Sequence, residues 1–225
     1  MQMLIDEESR RVLEEKFEKE MKRNVEIYYF VEKHEHSHDE HSHHEHIHLD
    51  EIVDQFLQEL SELSKGKIEI KKFGLNSKEA KEFSVDRNLT ILIDPRNGYR
   101  IFYIGSPLGE EAWAFIDTIV QVSKDESNIS KRSKEKLKDL NKNVEIQVFV
   151  TPQCPYCPYQ VLLVNNIAIE KKGLVHAKCI ESLENPDLAD KFNVQAVPHT
   201  VINEKQELIG VQPEDRMVEA ILKEG

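Results

Sequence analysis

No stretch of this chain approaches the roughly 18 consecutive apolar residues that a membrane-crossing helix requires. The opening segment, MQMLIDEESRRVLEEKF, lacks the apolar core of a signal peptide, so the expected compartment is the cytoplasm and no membrane partner is expected. Positive charge is also short: 30 Lys and Arg face 42 Asp and Glu, a net charge of -12, with no concentrated basic face. That argues against nucleic acid as the main partner, because phosphate binding draws its affinity from positive charge. Cysteine is scarce too, and three in 225 residues cannot make a disulfide scaffold. Two of the three stand as a pair, Cys154 and Cys157, which points to chemistry. What is plentiful is Glu and Lys, a composition compatible with a thermophilic source.

The chain is long enough for two domains of roughly 100–110 residues. Its C-terminal half reads as helix (KEKLKDL, 134–140), strand (NVEIQVFV, 143–150), helix (YQVLLVNNIAIEK, 159–171) and strand (GLVHAKCIE, 173–181). A short Pro-started helix (PDLADKF), a hairpin (TVIN and ELIGV) and a last helix (EDRMVEAIL) follow. This order implies a small mixed sheet covered by helices. The N-terminal half says much the same. NVEIYYFV (24–31) matches NVEIQVFV at six of eight positions, 119 residues apart, and FSVDRNLTILI (83–93) aligns with FNVQAVPHTVI (192–202), 109 apart. Gly105 and Gly210 agree at 105. The pattern implies a tandem duplication rather than a single large sheet, with domains at 1–123 and 124–225. Between the two shared strands the first half holds ten more residues than the second (119 less 109), and a histidine-rich segment lies within that interval.

In the second half the strand-to-helix loop reads TPQCPYCPYQ (151–160). Cys154 is expected at the helix start, where free backbone N–H groups and the helix dipole favour a thiolate. Cys157 is expected on nearly the same side, able to close a disulfide, with Pro155 at the first helical position and Pro158 sacrificing an early helix bond. Cys-x-x-Cys is also half of a thiolate zinc site, which Cys179 and a histidine could complete, although Cys179 lies mid-strand and reads as core. Pro198, in AVPHT, begins a strand, where proline costs a ladder bond unless its geometry is special. A cis Val197–Pro198 peptide is the expectation, turning the preceding carbonyl toward the cysteines.

The stretches VFVTPQCPYCP, NPDLADKFNVQAVP and GSPLGEEAWAFIDTIVQVSKDES, with the repeated order of elements, resemble the glutaredoxin-like protein disulfide oxidoreductases of hyperthermophiles. The resemblance covers most of the chain, departing mainly at 32–48. It implies an α/β architecture of tandem thioredoxin-like folds, each a central mixed sheet flanked by helices. It also implies thiol–disulfide exchange on protein thiols and disulfides, with no cofactor required and with electrons from a thioredoxin-reductase-like flavoprotein. By position Cys154 is the attacking cysteine, Cys157 the resolving one and Pro198 the cis-proline. The family commonly carries a second Cys-x-x-Cys in its first fold; here Glu35 and His38 stand at those positions, and Leu89 stands where Pro198 would be. The first fold is therefore not expected to perform the exchange.

The segment HEHSHDEHSHHEHIH holds eight of the ten histidines: His34, His36, His38, His41, His43, His44, His46 and His48. Imidazole binds borderline divalent cations, and His-x-His spacing puts two rings on one side of an extended chain. Three or four of the eight could satisfy Zn²⁺, Ni²⁺ or Cu²⁺. Such redundancy equally suits a solvated loop that takes up metal only when metal is plentiful. Two function classes follow: a redox enzyme with a modified first fold, or a metal-binding or metal-regulated protein whose cysteines assist ligation.

Overall fold

The computed structural model describes residues 3–32 and 49–225. Its first helix, α1 (Glu7–Glu20), is capped by Asp6, whose carboxylate accepts the Glu8 and Ser9 backbone N–H groups. Then come β1 (Val25–Phe30), α2 (Leu49–Leu63), β2 (Ile68–Phe73), α3 (Lys78–Phe83), a hairpin of β3 (Thr90–Ile93) and β4 (Ile101–Ile104), and α4 (Glu111–Lys124). The second half repeats this order: α5 (Lys131–Leu137), β5 (Val144–Val150), α6 (Cys157–Glu170), β6 (Val175–Glu181), α7 (Pro186–Lys191), β7 (His199–Ile202), β8 (Gln206–Ile209) and α8 (Glu214–Glu224).

All eight strands form one sheet in the order β2-β1-β3-β4-β6-β5-β7-β8. Each half contributes four neighbours with the same pairing: the first strand lies parallel to the second and antiparallel to the third. The sequence argued for a duplication instead of a single large sheet, and here the structure differs. Strands β4 and β6 pair in parallel across the two halves, with Tyr103 opposite Cys179. The physical reason is that each strand would otherwise leave a row of backbone N–H and C=O groups open at a sheet edge.

Strands β1 and β5 read as nearly unbroken apolar runs because both their faces are covered. Val25, Ile27 and Tyr29, like Ile146, Val148 and Val150, enter a core shared with α1, α2, α4, α6 and α8. Tyr28 and Phe30 face a smaller cluster under α3, and Phe149 faces one under α7. The larger core draws on both halves without a break. Polar bonds cross it as well: the Asn165 amide of α6 donates to Tyr103 Oη and Thr118 Oγ1, each at 3.0 Å, both acceptors belonging to the first half. On the far side Arg87 pairs with Asp187.

Candidate active site

Strand β5 ends at Val150, and the chain turns through residues 151–156, where the Cys154 N–H donates to Thr151 O at 3.1 Å. Helix α6 then starts at Cys157, two residues before the helix that periodicity alone suggested. Cys154 and Pro155 consequently lie in the turn ahead of the helix, not at its first positions. Pro158 takes the first-turn place expected for Pro155, where a missing N–H has no intrahelical partner to lose. The Cys157 N–H points back and donates to Cys154 Sγ at 3.2 Å. The helix start thus serves Cys154 through its N–H and dipole without containing it.

The two sulfurs are joined in a disulfide with Cα atoms 5.5 Å apart. Their exposure differs in kind: Cys154 keeps 8% of its surface open and Cys157 none. Only Cys154 can meet a bulky partner. The Val197–Pro198 peptide is cis, and Val197 O lies 3.8 Å from Cys154 Sγ. Pro198 enters β7, and its carbonyl accepts the Gly210 N–H at 2.8 Å.

Several contributors were not picked out from the sequence. Gln160, fully buried in α6, donates to Thr200 Oγ1 at 3.1 Å and accepts the Gln212 N–H at 2.9 Å, tying the helix to β7 and to the segment after β8. A lone Gln within an apolar helical run was the available signal. The first half supplies the rest. Glu110 N–H donates to Pro152 O at 2.9 Å, so the loop leading into α4 rests directly on the cysteine turn. Gly109 makes this approach possible: its φ is +65°, and a Cβ there would come within 2.5 Å of Pro152 O. Trp113 meets Tyr159 edge-on, ring centres 5.4 Å apart.

Glu111, next along, is buried with neither carboxyl oxygen hydrogen-bonded among the described residues. Burial, with the Glu110 charge beside it, raises its pKa to about 8. Cys179 is a free, buried thiol in β6, pushed well above its ordinary value first by burial and then by Glu111. It is a core residue, as its place in the strand suggested.

The eight histidines from His34 to His48, and with them Glu35, lie outside the described residues. Among the described residues no group of three or more His, Cys, Asp or Glu side chains is placed to hold a metal ion, which leaves the mixed site built on Cys179 unsupported. Leu89, at the position matching Pro198, precedes β3 with φ +55°.

Residues 144–223 match the thioredoxin domain family. Over 80 residues, 36% of this chain and 94% of the relative, the sequence is 39% identical to the thioredoxin of Methanocaldococcus jannaschii. Among solved structures, a protein disulfide oxidoreductase from Aeropyrum pernix is similar across 97% of this chain and 92% of its own, with 29% identity and a TM-score of 0.82. An alkylhydroperoxide reductase component from Enterococcus faecalis shares the fold, at TM-score 0.81 and 20% identity over 98% of this chain and 100% of that one.

Proposed function

The chain belongs to the thioredoxin family, and on that footing we propose that it is a thiol–disulfide oxidoreductase acting on protein disulfides. One observation carries the reading: a disulfide whose sulfurs differ in access, Cys154 partly open beside Val197 O and Cys157 sealed behind it. In the reduced protein the Cys154 thiolate, favoured by the Cys157 N–H and the start of α6, attacks one sulfur of a substrate disulfide. A mixed disulfide forms and the other substrate sulfur leaves as a thiolate. Cys157 loses its proton and attacks Cys154 Sγ, the bond from Cys154 to substrate breaks, and the second substrate sulfur leaves. The substrate has gained two electrons, and Cys154–Cys157 is oxidised. In this reading Val197 O, beside Cys154 Sγ, accepts a backbone N–H of an extended substrate.

The reductive direction is the one we favour, with electrons returned by a thioredoxin-reductase-like flavoprotein in the cytoplasm. The repeated element order and matching strand pairing support two thioredoxin-like folds in tandem, 1–123 and 124–225, of which only the second carries the exchanging pair. Divalent cation binding by His34–His48 is a separate proposal resting on their spacing; calorimetry with Zn²⁺ on a variant lacking 34–48 tests it, and undiminished affinity refutes it.

The exchange itself is tested by substitution. Cys154→Ser is expected to abolish dithiothreitol-driven insulin reduction, while Cys157→Ser accumulates mixed disulfides that persist on non-reducing gels. Retained insulin reduction in Cys154→Ser overturns the reading.

A further inference from the structure

One groove of the first half has no part in the exchange chemistry. It holds about 740 Å³ and runs between the N-terminal segment, α1, α2 and the start of α4. Its apolar lining includes Leu4, Val12, Ile52, Phe56, Leu108 and Trp113. Three of these stay open to solvent, Val12 at 61%, Leu4 at 45% and Trp113 at 37%. Single apolar side chains scattered over a surface are ordinary, but several gathered along one concave wall form a contact site. The wall is also built rather than frayed. The buried Glu59 carboxylate accepts the Leu4 and Ile5 N–H groups at 2.9 and 3.1 Å, and Arg10 pairs with it at 3.0 Å. Leu4 is thus exposed on a pinned backbone.

Charge and position together name the occupant. Asp6, Glu8 and Glu110 line the groove, and among the described residues no Lys or Arg does. An apolar segment carrying Lys or Arg is drawn to such a surface, and an acidic one is repelled. One end of the groove lies against the redox centre. Gly109 and Glu110 belong both to its lining and to the contact with Pro152, two residues before Cys154. Trp113 leaves the groove on the same side, its ring against Tyr159 of α6. A polypeptide whose disulfide meets Cys154 therefore has the groove within reach of its neighbouring residues.

We propose that this groove takes an extended, apolar segment of a client polypeptide, one bearing Lys or Arg, next to the disulfide that Cys154 attacks. The assignment rests on the redox reading above and narrows its substrate class to unfolded, basic chains, since a folded client keeps its apolar segments buried. The first half, which has no cysteine, is then the half that selects.

The test uses three synthetic peptides, each with a single cysteine joined by a disulfide to nitrothiobenzoate. Their tails are apolar with lysines, apolar with glutamates, or serines with lysines. The Cys154 thiolate attacks the peptide sulfur and nitrothiobenzoate leaves as a coloured thiolate, so the colour times the first step. The reduced full chain is expected to react with the apolar, lysine-bearing peptide about tenfold faster than with either of the others at low ionic strength. Added salt should narrow the gap to the glutamate peptide and preserve the gap to the serine peptide. Val12→Arg, an exposed change on α1, should abolish the advantage, and Leu4→Ser carries the same expectation, with circular dichroism checking both folds. The rates are compared as ratios within one preparation, which cancels any general loss of redox activity. Equal rates for the three peptides in wild type, or an advantage that persists in both variants, overturn the proposal. A dimer in sedimentation that Val12→Arg dissociates also overturns it, because a second copy would then fill the groove. Failure of the reduced wild type to release colour from tail-free 5,5′-dithiobis(2-nitrobenzoate) would overturn the redox reading, and this proposal with it.

Discussion

At the scale of single residues, Glu111 links stability to pH. Its unfolded carboxyl ionises near 4.5, while burial and the Glu110 charge hold the folded one protonated up to about 8. The unfolded state therefore releases a proton that the folded state keeps, and stability falls as pH rises between those values. The slope is about 1.4 kcal/mol per pH unit, and it vanishes outside the window. Glu111→Gln should flatten this dependence and leave the variant more stable than wild type at pH 8, measured by urea denaturation across pH 4 to 9. Gln160 works in the opposite sense, since both its amide ends are used in a buried setting. Gln160→Leu strands Thr200 Oγ1 and the Gln212 N–H and should cost about 1–3 kcal/mol by the same assay.

At the scale of elements, the decisive contact is between the loop before α4 and the turn before α6. Gly109 alone permits it, through a positive φ and the lack of a side chain facing Pro152 O. Gly109→Ala is expected to destabilise the protein by about 1–3 kcal/mol and to slow exchange by displacing the cysteine turn, read as a lower Tm together with slower insulin reduction. This contact was not legible in the sequence, because its two sides are some forty residues apart and neither carries a periodic or compositional signal. The cysteine pair, the strands β1 and β5 and the hairpins were legible, since apolar runs and a spaced pair are local patterns. The first helical position was assigned to Pro155, ahead of the observed start at Cys157, because Pro155 looked as good a first-turn residue as Pro158. Glu111 sat in GEEAWAF as one of two adjacent acids, and nothing local marks which of the two turns inward.

For the molecule as a whole, the continuous sheet and shared core predict one cooperative unfolding transition rather than two. The single tryptophan, Trp113, reports on the contact of α4 with Tyr159 between the halves, while far-UV circular dichroism reports on the secondary structure of both. Their urea curves should coincide; a separate early transition in either signal would mean that the halves unfold independently. The repeated order of elements was readable from matching strands, but the join between β4 and β6 was not, because each strand is equally apolar whether it lies at an edge or inside a sheet.

That join has a temporal side. One edge of residues 101–104 is paired by β3, but the other finds its backbone partner in residues 177–180, so a ribosome must add more than seventy residues after β4 before that open edge can close. Throughout that interval the nascent first half carries an apolar strand with one bare edge, the kind that recruits neighbouring chains. The seam that makes the finished molecule continuous is thus its most exposed point during synthesis, where a holding chaperone would have the most to protect.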